Sequence, residues 1–187
     1  MKDRIMQAFV DEVKDKGIKF TMDDLAGRLG ISKRTLYENF SSKVEILEAI
    51  IELTITEFDE KTEAIVQDSS LSLLEKIKAA IMVVPKYDEF YDLQILEQMK
   101  KYYPKQWERM NHSLSEWEAL KNLLELGIEE GLIKEQNVEL LMRLVIDATN
   151  LTLDRRFIWE NRITVEEAMN GIVNVLLFGM VERNAEP

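Results

Sequence analysis

Between Arg28 and Lys43 the chain carries four cationic side chains, Arg28, Lys33, Arg34 and Lys43, against the single acid Glu38. The hydroxyls of Ser32, Thr35 and Tyr37 lie among them, and Thr21 stands a little upstream. Guanidinium and ammonium groups donate to phosphate oxygens and guanine edges, and hydroxyls serve phosphates and bases alike. These residue types at this spacing suit recognition of a polyanion. Bond-making chemistry finds little support. The one histidine, His112, has Arg109 where a Glu-x-x-His pair needs its carboxylate. Glu108 and Glu116 stand at helical spacing from His112, but one imidazole and one carboxylate make a poor metal site. There is no glycine-rich phosphate loop, no Gly-x-Ser-x-Gly and no cysteine. No catalytic residue, metal or cofactor is expected, and the chain does not read as an enzyme.

A net charge of −11 argues at first against a polyanionic partner. The charge is unevenly spread, however. Residues 1–48 hold nine basic and nine acidic side chains, so the whole excess falls on the remainder. Local charge decides what a surface attracts. Absence of cysteine and of any apolar run near the ~20 residues that span a bilayer points to a soluble, cytoplasmic protein. The first residues lead straight into an amphipathic pattern without a signal-type apolar core.

The elements that must position these residues read as helices throughout. Ile5, Met6, Phe9, Val10 and Val13 recur at helical spacing within Lys2–Lys16, and Gly17 stands at the C-terminal end. Thr21 with Asp24 opens a second helix, whose inner face is Met22, Leu25, Ala26 and Leu29. Gly30 ends it. Ser32 caps a third helix anchored by Leu36 and Phe40, and Ser42-Lys43-Val44-Glu45 launches a long fourth. Ser72 with Glu75 starts another that Pro85 halts. Further helices are expected over Tyr87–Tyr103, from Pro104 to about Gly131, from Asn137 to about Glu160, and from Thr164 to about Arg183. No segment alternates with period two. The expected fold is all-α with about nine helices, divided inside the fourth helix into a lobe of residues 1–47 and a lobe of residues 48–187.

Two short helices joined by a glycine turn form a helix-turn-helix, with Ala26 small enough for a close crossing and Ile31 anchoring the second helix. Ser32, Lys33, Arg34, Thr35, Tyr37 and Glu38 then project near a helix N-terminus, which favours phosphate. Spacing alone leaves two other readings open, an ordinary solvated charged face and a helical adaptor that binds protein. "FTMDDLAGRLGISKRTLYENFSSKVEIL", Phe20 to Leu47, resembles the DNA-binding segment of TetR-family transcriptional regulators. The resemblance lies in Thr21, Ala26, Gly30-Ile31-Ser32, Thr35-Leu36-Tyr37, and Phe40 with Lys43. It covers about a quarter of the chain; the run Gly127 to Ile133 also resembles the end of the family's seventh helix. Arg34 departs from the Gly or Ala often found there. The resemblance implies base-edge or nearby contacts from Lys33, Arg34 and Thr35. Tyr37, Lys43 and Thr21 would meet phosphates, with Ser32 and Arg28 beside them, and Lys2 or Arg4 would reach a neighbouring groove or backbone.

One recognition helix reads too little sequence, and two set about 34 Å apart read a palindromic operator in double-stranded DNA. A homodimer is therefore expected. Its helices are the last two, where Val138, Leu141, Leu144, Val145, Ala148 and Leu151 form one apolar stripe. The other runs through Val165, Met169, Ile172, Val173, Leu176, Leu177 and Met180 and is apolar on more than one side. Between the lobes a small apolar or aromatic effector finds candidate packing surfaces in Met99, Met110, Trp107 and Trp117. Tyr87, Tyr91, Tyr102 and His112 would orient it. The resemblance implies such a pocket and a repressor that the effector releases, without saying which residues line it.

Overall fold

Capping residues set most of the helix starts. The computed structural model describes residues 1–87, 90, 92–115 and 117–180, with the side chains of 113–115 excepted. All regular structure among them is helical: α1 (Lys2–Lys16), α2 (Met22–Leu29), α3 (Lys33–Asn39), α4 (Lys43–Gln67), α5 (Leu73–Ile81), α6 (Leu93–Tyr102), α7 (Pro104–Ser115), α8 (Glu118–Glu129), α9 (Val138–Asn150), α10 (Arg155–Glu160) and α11 (Val165–Phe178). The all-α expectation holds. Thr21 with Asp24, Ser72 with Glu75 and Thr164 with Glu167 each form a reciprocal capping box.

Eleven α-helices stand among the described residues against about nine expected. The run from Pro104 breaks before Trp117, whose backbone is non-helical and whose side chain is buried. Trp117 offers no capping oxygen, so packing holds this break. The run from Asn137 breaks at a 3-10 turn, Leu151–Leu153. There Thr152 Oγ1 donates back to Thr149 O at 2.7 Å, and Asp154 Oδ1 accepts from Phe157 N at 2.9 Å to start α10. Such local bonds compete with helix continuation. Helix α6 begins at Leu93, where Asp92 accepts from Gln94 N at 2.8 Å.

The chain packs as two units. One is Met1–Asp59 with Val84–Glu116, the other Glu60–Val83 with Trp117–Pro187. In the first, α1 to α3 close over Ile5, Phe9, Val13, Leu25 and Leu36, with Phe9 and Phe20 edge to face at 5.0 Å. The link between α1 and α2 is fastened by α6, as Gln98 Oε1 accepts from Ile18 N at 2.8 Å. In the second unit α5 packs on α8, α8 on α9 and α9 on α11. Its buried residues include Ile77, Ile81, Leu124, Val145 and Val173. No helix among the described residues is long and apolar enough to cross a membrane.

A candidate nucleic-acid interface

The outward face of α3 is built from its two ends. Thr21 caps α2, its backbone N donating to Asp24 Oδ2 at 2.7 Å while Asp24 N donates to Thr21 Oγ1 at 3.2 Å. Thr21 Oγ1 also donates to Asp24 Oδ2 at 2.6 Å, and this bond, with the backbone one, holds Asp24 below the ordinary carboxylate range. At the other end of α2, Gly30 adopts φ 64, ψ 32, with its N–H on Gly27 O and the N–H of Ile31 on Ala26 O. That is a Schellman ending, and its left-handed residue favours glycine. Two residues later Ser32 Oγ accepts from Thr35 N at 3.1 Å and starts α3.

Helix α3 is only seven residues long, so packing must hold it. Leu36 is fully buried in its middle and Phe40 is buried just beyond its end. Removing the Leu36 side chain beyond Cβ would cost about 2–5 kcal/mol, as for other buried leucines. With that side fixed, Lys33, Arg34, Tyr37 and Glu38 face solvent. Arg34 has 89% of its side chain exposed and pairs with Glu38 at 2.9 Å. Tyr37 is 49% exposed. Lys33 Nζ meets Asp23 Oδ2 on α2 at 2.5 Å, which holds the ammonium above its ordinary pKa. Exposed ion pairs of this kind are weak and exchange readily for a polyanion. Thr35 is half-buried, and its hydroxyl lies 2.9 Å from Ser32 Oγ, so both hydroxyls serve the cap.

Two of the eight sequence-derived residues are engaged by neighbouring elements, Arg28 at the surface and Lys43 half-buried. Arg28 Nη1 donates to Asp15 Oδ2 at 2.7 Å and lies 3.7 Å from the buried Glu12. Lys43 folds back under the link between α1 and α2. Its Nζ donates to Ile18 O and, at 2.5 Å, to Phe20 O, and it sits 3.8 Å from the Phe20 ring centroid. Burial pushes Lys43 down to about 8. In this arrangement the ammonium ties the two carbonyls just ahead of the α2 cap. Nor do the N-terminal cations stand free: Arg4 donates to Leu29 O at 3.0 Å and Lys2 lies over Phe40.

Three supporting residues escaped the sequence reading. Asp23 clamps Lys33, and Asn39 Nδ2 donates to Thr35 O at 2.8 Å. Gln98 acts from 80 positions away, and no local pattern announces it. Asp23 stands ten residues before Lys33, a spacing that means nothing until the turn at Gly30 folds α2 against α3.

The residues expected to hold an effector differ in burial. Tyr87, Met99 and Met110 are buried, Trp107 is half-buried, and Tyr102 and His112 are exposed. All six belong to the first unit, whereas Trp117 belongs to the second. Tyr91 lies outside the described residues. A cavity of about 560 Å³ opens within the second unit, and its lining includes none of the seven described residues of this set.

Residues 5–50 match a family model described as bacterial regulatory proteins, tetR family. Over 181 residues the chain is 33% identical to an uncharacterized HTH-type transcriptional regulator, YvaF, of Bacillus subtilis (strain 168). That match covers 96% of this chain and 95% of the relative. Among solved structures it resembles the TetR-family regulator PfmR of Thermus thermophilus. The TM-score is 0.79 at 25% identity, covering 96% of this chain and 100% of that one. It also shares the fold of AibR, solved with isovaleryl coenzyme A and operator DNA. There the TM-score is 0.71 at 20% identity, over 94% and 97% of the two chains.

Proposed function

The chain belongs to the TetR family of transcriptional regulators, and we propose that it is a cytoplasmic homodimeric repressor that grips a palindromic operator and lets go when a small apolar effector binds. The observation that carries this reading is the face of α3. Arg34 and Tyr37 stand in solvent on a helix whose opposite side is locked by Leu36. Arg34 and Lys33 would donate to base edges, Thr35 would lie beside them, and Tyr37 would reach a phosphate. Thr21 and Ser32 cap the two helices and contribute by position. Lys43, half-buried against the carbonyls of Ile18 and Phe20, is read as scaffolding and left out of the proposed contact set, whereas Arg28, whose pair with Asp15 is exposed, stays at its edge.

Dimerisation is supported by apolar side chains on adjacent helices of the second unit. Leu140, Leu144 and Leu151 of the α9 region and Val175 and Phe178 of α11 are each about half exposed. Met169 and Val173 of the same α11 are buried, so the helix has apolar groups on two sides. A patch of this kind on a soluble chain marks an interface. An effector with an apolar portion is in keeping with AibR, whose solved complex holds isovaleryl coenzyme A and operator DNA.

The test is duplex binding by fluorescence anisotropy over a range of salt. Wild type should bind with a steep salt dependence. Lys33→Ala with Arg34→Ala should cut affinity at least tenfold while leaving the melting temperature within about a degree. Binding that survives the double substitution would refute the proposed face. Binding absent in wild type would leave a helical adaptor.

A further inference from the structure

The cavity in the second unit has its own chemistry. Its volume of about 560 Å³ lies in the range that takes a small ligand. Its walls are aliphatic: Ile81 from α5, Leu124 from α8, Leu141 and Val145 from α9, and Leu177 from α11. The single ring in the lining, Phe178, stands half exposed. The polar side chains of the lining are Lys134 and Gln136, both exposed in the loop between α8 and α9. In a chain of net charge −11, the one ionic group among the described lining residues is therefore a cation. Lys134 has no ion-pair partner among the described residues.

Gly127 shapes this site from outside it. Ile133 N donates to Gly127 O at 2.8 Å, turning the loop back along α8. A Cβ at 127 would stand 2.9 Å from Ile133 Cδ1, so the glycine leaves a notch in which Ile133 rests. Filling that notch would displace Ile133, itself a lining residue, and so alter the cavity wall.

We infer that the cavity seats the alkyl or acyl chain of an amphipathic anion, with Lys134 and Gln136 meeting its head group. This names the effector class of the repressor proposed above and rests on that reading. Aliphatic walls reward methylene groups, at about fourfold in affinity for each one buried. A hydroxyl or amide carried in among these aliphatic side chains would be left unpaired. The head group stays at the wet rim beside the lysine. A free carboxylate and a coenzyme thioester both present a chain and an anion, and both fit this description. Leu144 and Phe178 belong at once to the lining and to the half-exposed face assigned above to the partner subunit. A chain filling the cavity thus touches side chains that would set the dimer.

The experiment is calorimetric titration of the full chain, without DNA, with octanoate, decanoate, decanoyl coenzyme A and 2-naphthoate. Aliphatic anions should bind once per chain, decanoate more tightly than octanoate, and naphthoate more weakly than either. Lys134→Ala should weaken every aliphatic ligand by a similar factor, about fivefold. Gly127→Ala should change the ratio of decanoate to octanoate affinity, because the displaced Ile133 reshapes the cavity wall. Preference between decanoate and its coenzyme ester assigns the head group, and either supports the inference. No aliphatic binding, tighter binding of naphthoate, or affinities indifferent to both substitutions would overturn it. Adding operator separates the two claims: a ligand that fills the cavity yet leaves DNA affinity unchanged contradicts the release mechanism and leaves the cavity assignment standing.

Discussion

Lys43→Met separates a scaffolding role for this residue from the phosphate contact that the sequence resemblance implies. Methionine keeps the length of the stem and removes the ammonium. What is lost is a pair of charge-assisted hydrogen bonds, to Ile18 O and Phe20 O, and a cation held over the Phe20 ring. Bonds of this type are worth about 1.5–3 kcal/mol each when fully buried. Lys43 is only half-buried, so solvent replaces part of each, and relief of the ammonium's desolvation offsets more. A net loss of about 1–2 kcal/mol remains, or roughly 3–6 °C in melting temperature for a chain of this size. The pH dependence has a definite sign. Burial depresses the folded pKa from 10.5 to about 8, so between those values the unfolded chain holds the proton more tightly. Wild-type stability should then rise with pH through that window, and the gap to Lys43→Met should widen. Thermal and urea melts from pH 7 to 10 read both effects, and duplex titrations at several salt concentrations complete the test. An unchanged melting temperature with a log–log salt slope smaller by about one would refute the scaffolding role and return Lys43 to the phosphates.

Three other expectations follow from the caps, the turn and the ion pairs. Asp23→Asn releases Lys33 from its clamp and should tighten duplex binding at low salt by about three- to fivefold, the range of an exposed ion pair; unchanged anisotropy titrations would count against Lys33 as a contact. Gly30→Ala meets no steric obstacle but must hold φ near 64, so urea melts should show a loss of about 1–2 kcal/mol. The capping carboxylates Asp24, Glu75 and Glu167 are each held below their ordinary range by donors from Thr21, Ser72 and Thr164. Their stabilisation is complete above the unfolded carboxylate pKa and fades as pH falls through the lowered folded values. The deficit of Asp24→Asn should therefore shrink on acidification from pH 7 to about pH 3, and a constant deficit would contradict the capping account.

What the sequence discloses is what short-range chemistry controls. Thr21 with Asp24, Ser72 with Glu75 and Thr164 with Glu167 are three residues apart, and each marks a helix start that the structure contains. Gly30 likewise marks the turn because no other residue adopts its backbone so cheaply. Long-range packing hides the rest. The break before Trp117 depends on burying an indole, and the one at Leu151–Leu153 on threonine and aspartate bonds that helical periodicity ignores. Charge counting found the cations between Arg28 and Lys43 but not their directions. Asp15 claims Arg28 from α1, and the carbonyls of Ile18 and Phe20 claim Lys43 from 25 and 23 positions away. Aromatic and methionine residues drew attention to the segment around Tyr87 to Trp117, where several are simply core. The cavity inferred above to take a ligand is lined mostly by leucine, isoleucine and valine drawn from α5, α8, α9, α11 and the loop between α8 and α9, and such residues look in sequence like any other core.

Selection of bound duplexes from a random pool tests the central claim most directly. A dimer presenting two copies of α3 should enrich a palindrome whose half-sites lie about one helical turn apart, roughly 10 base pairs centre to centre. Arg34→Ala should relax the base preference at one position in each half-site. A pool that stays random, or a winning sequence that Arg34→Ala selects unchanged, would contradict the account.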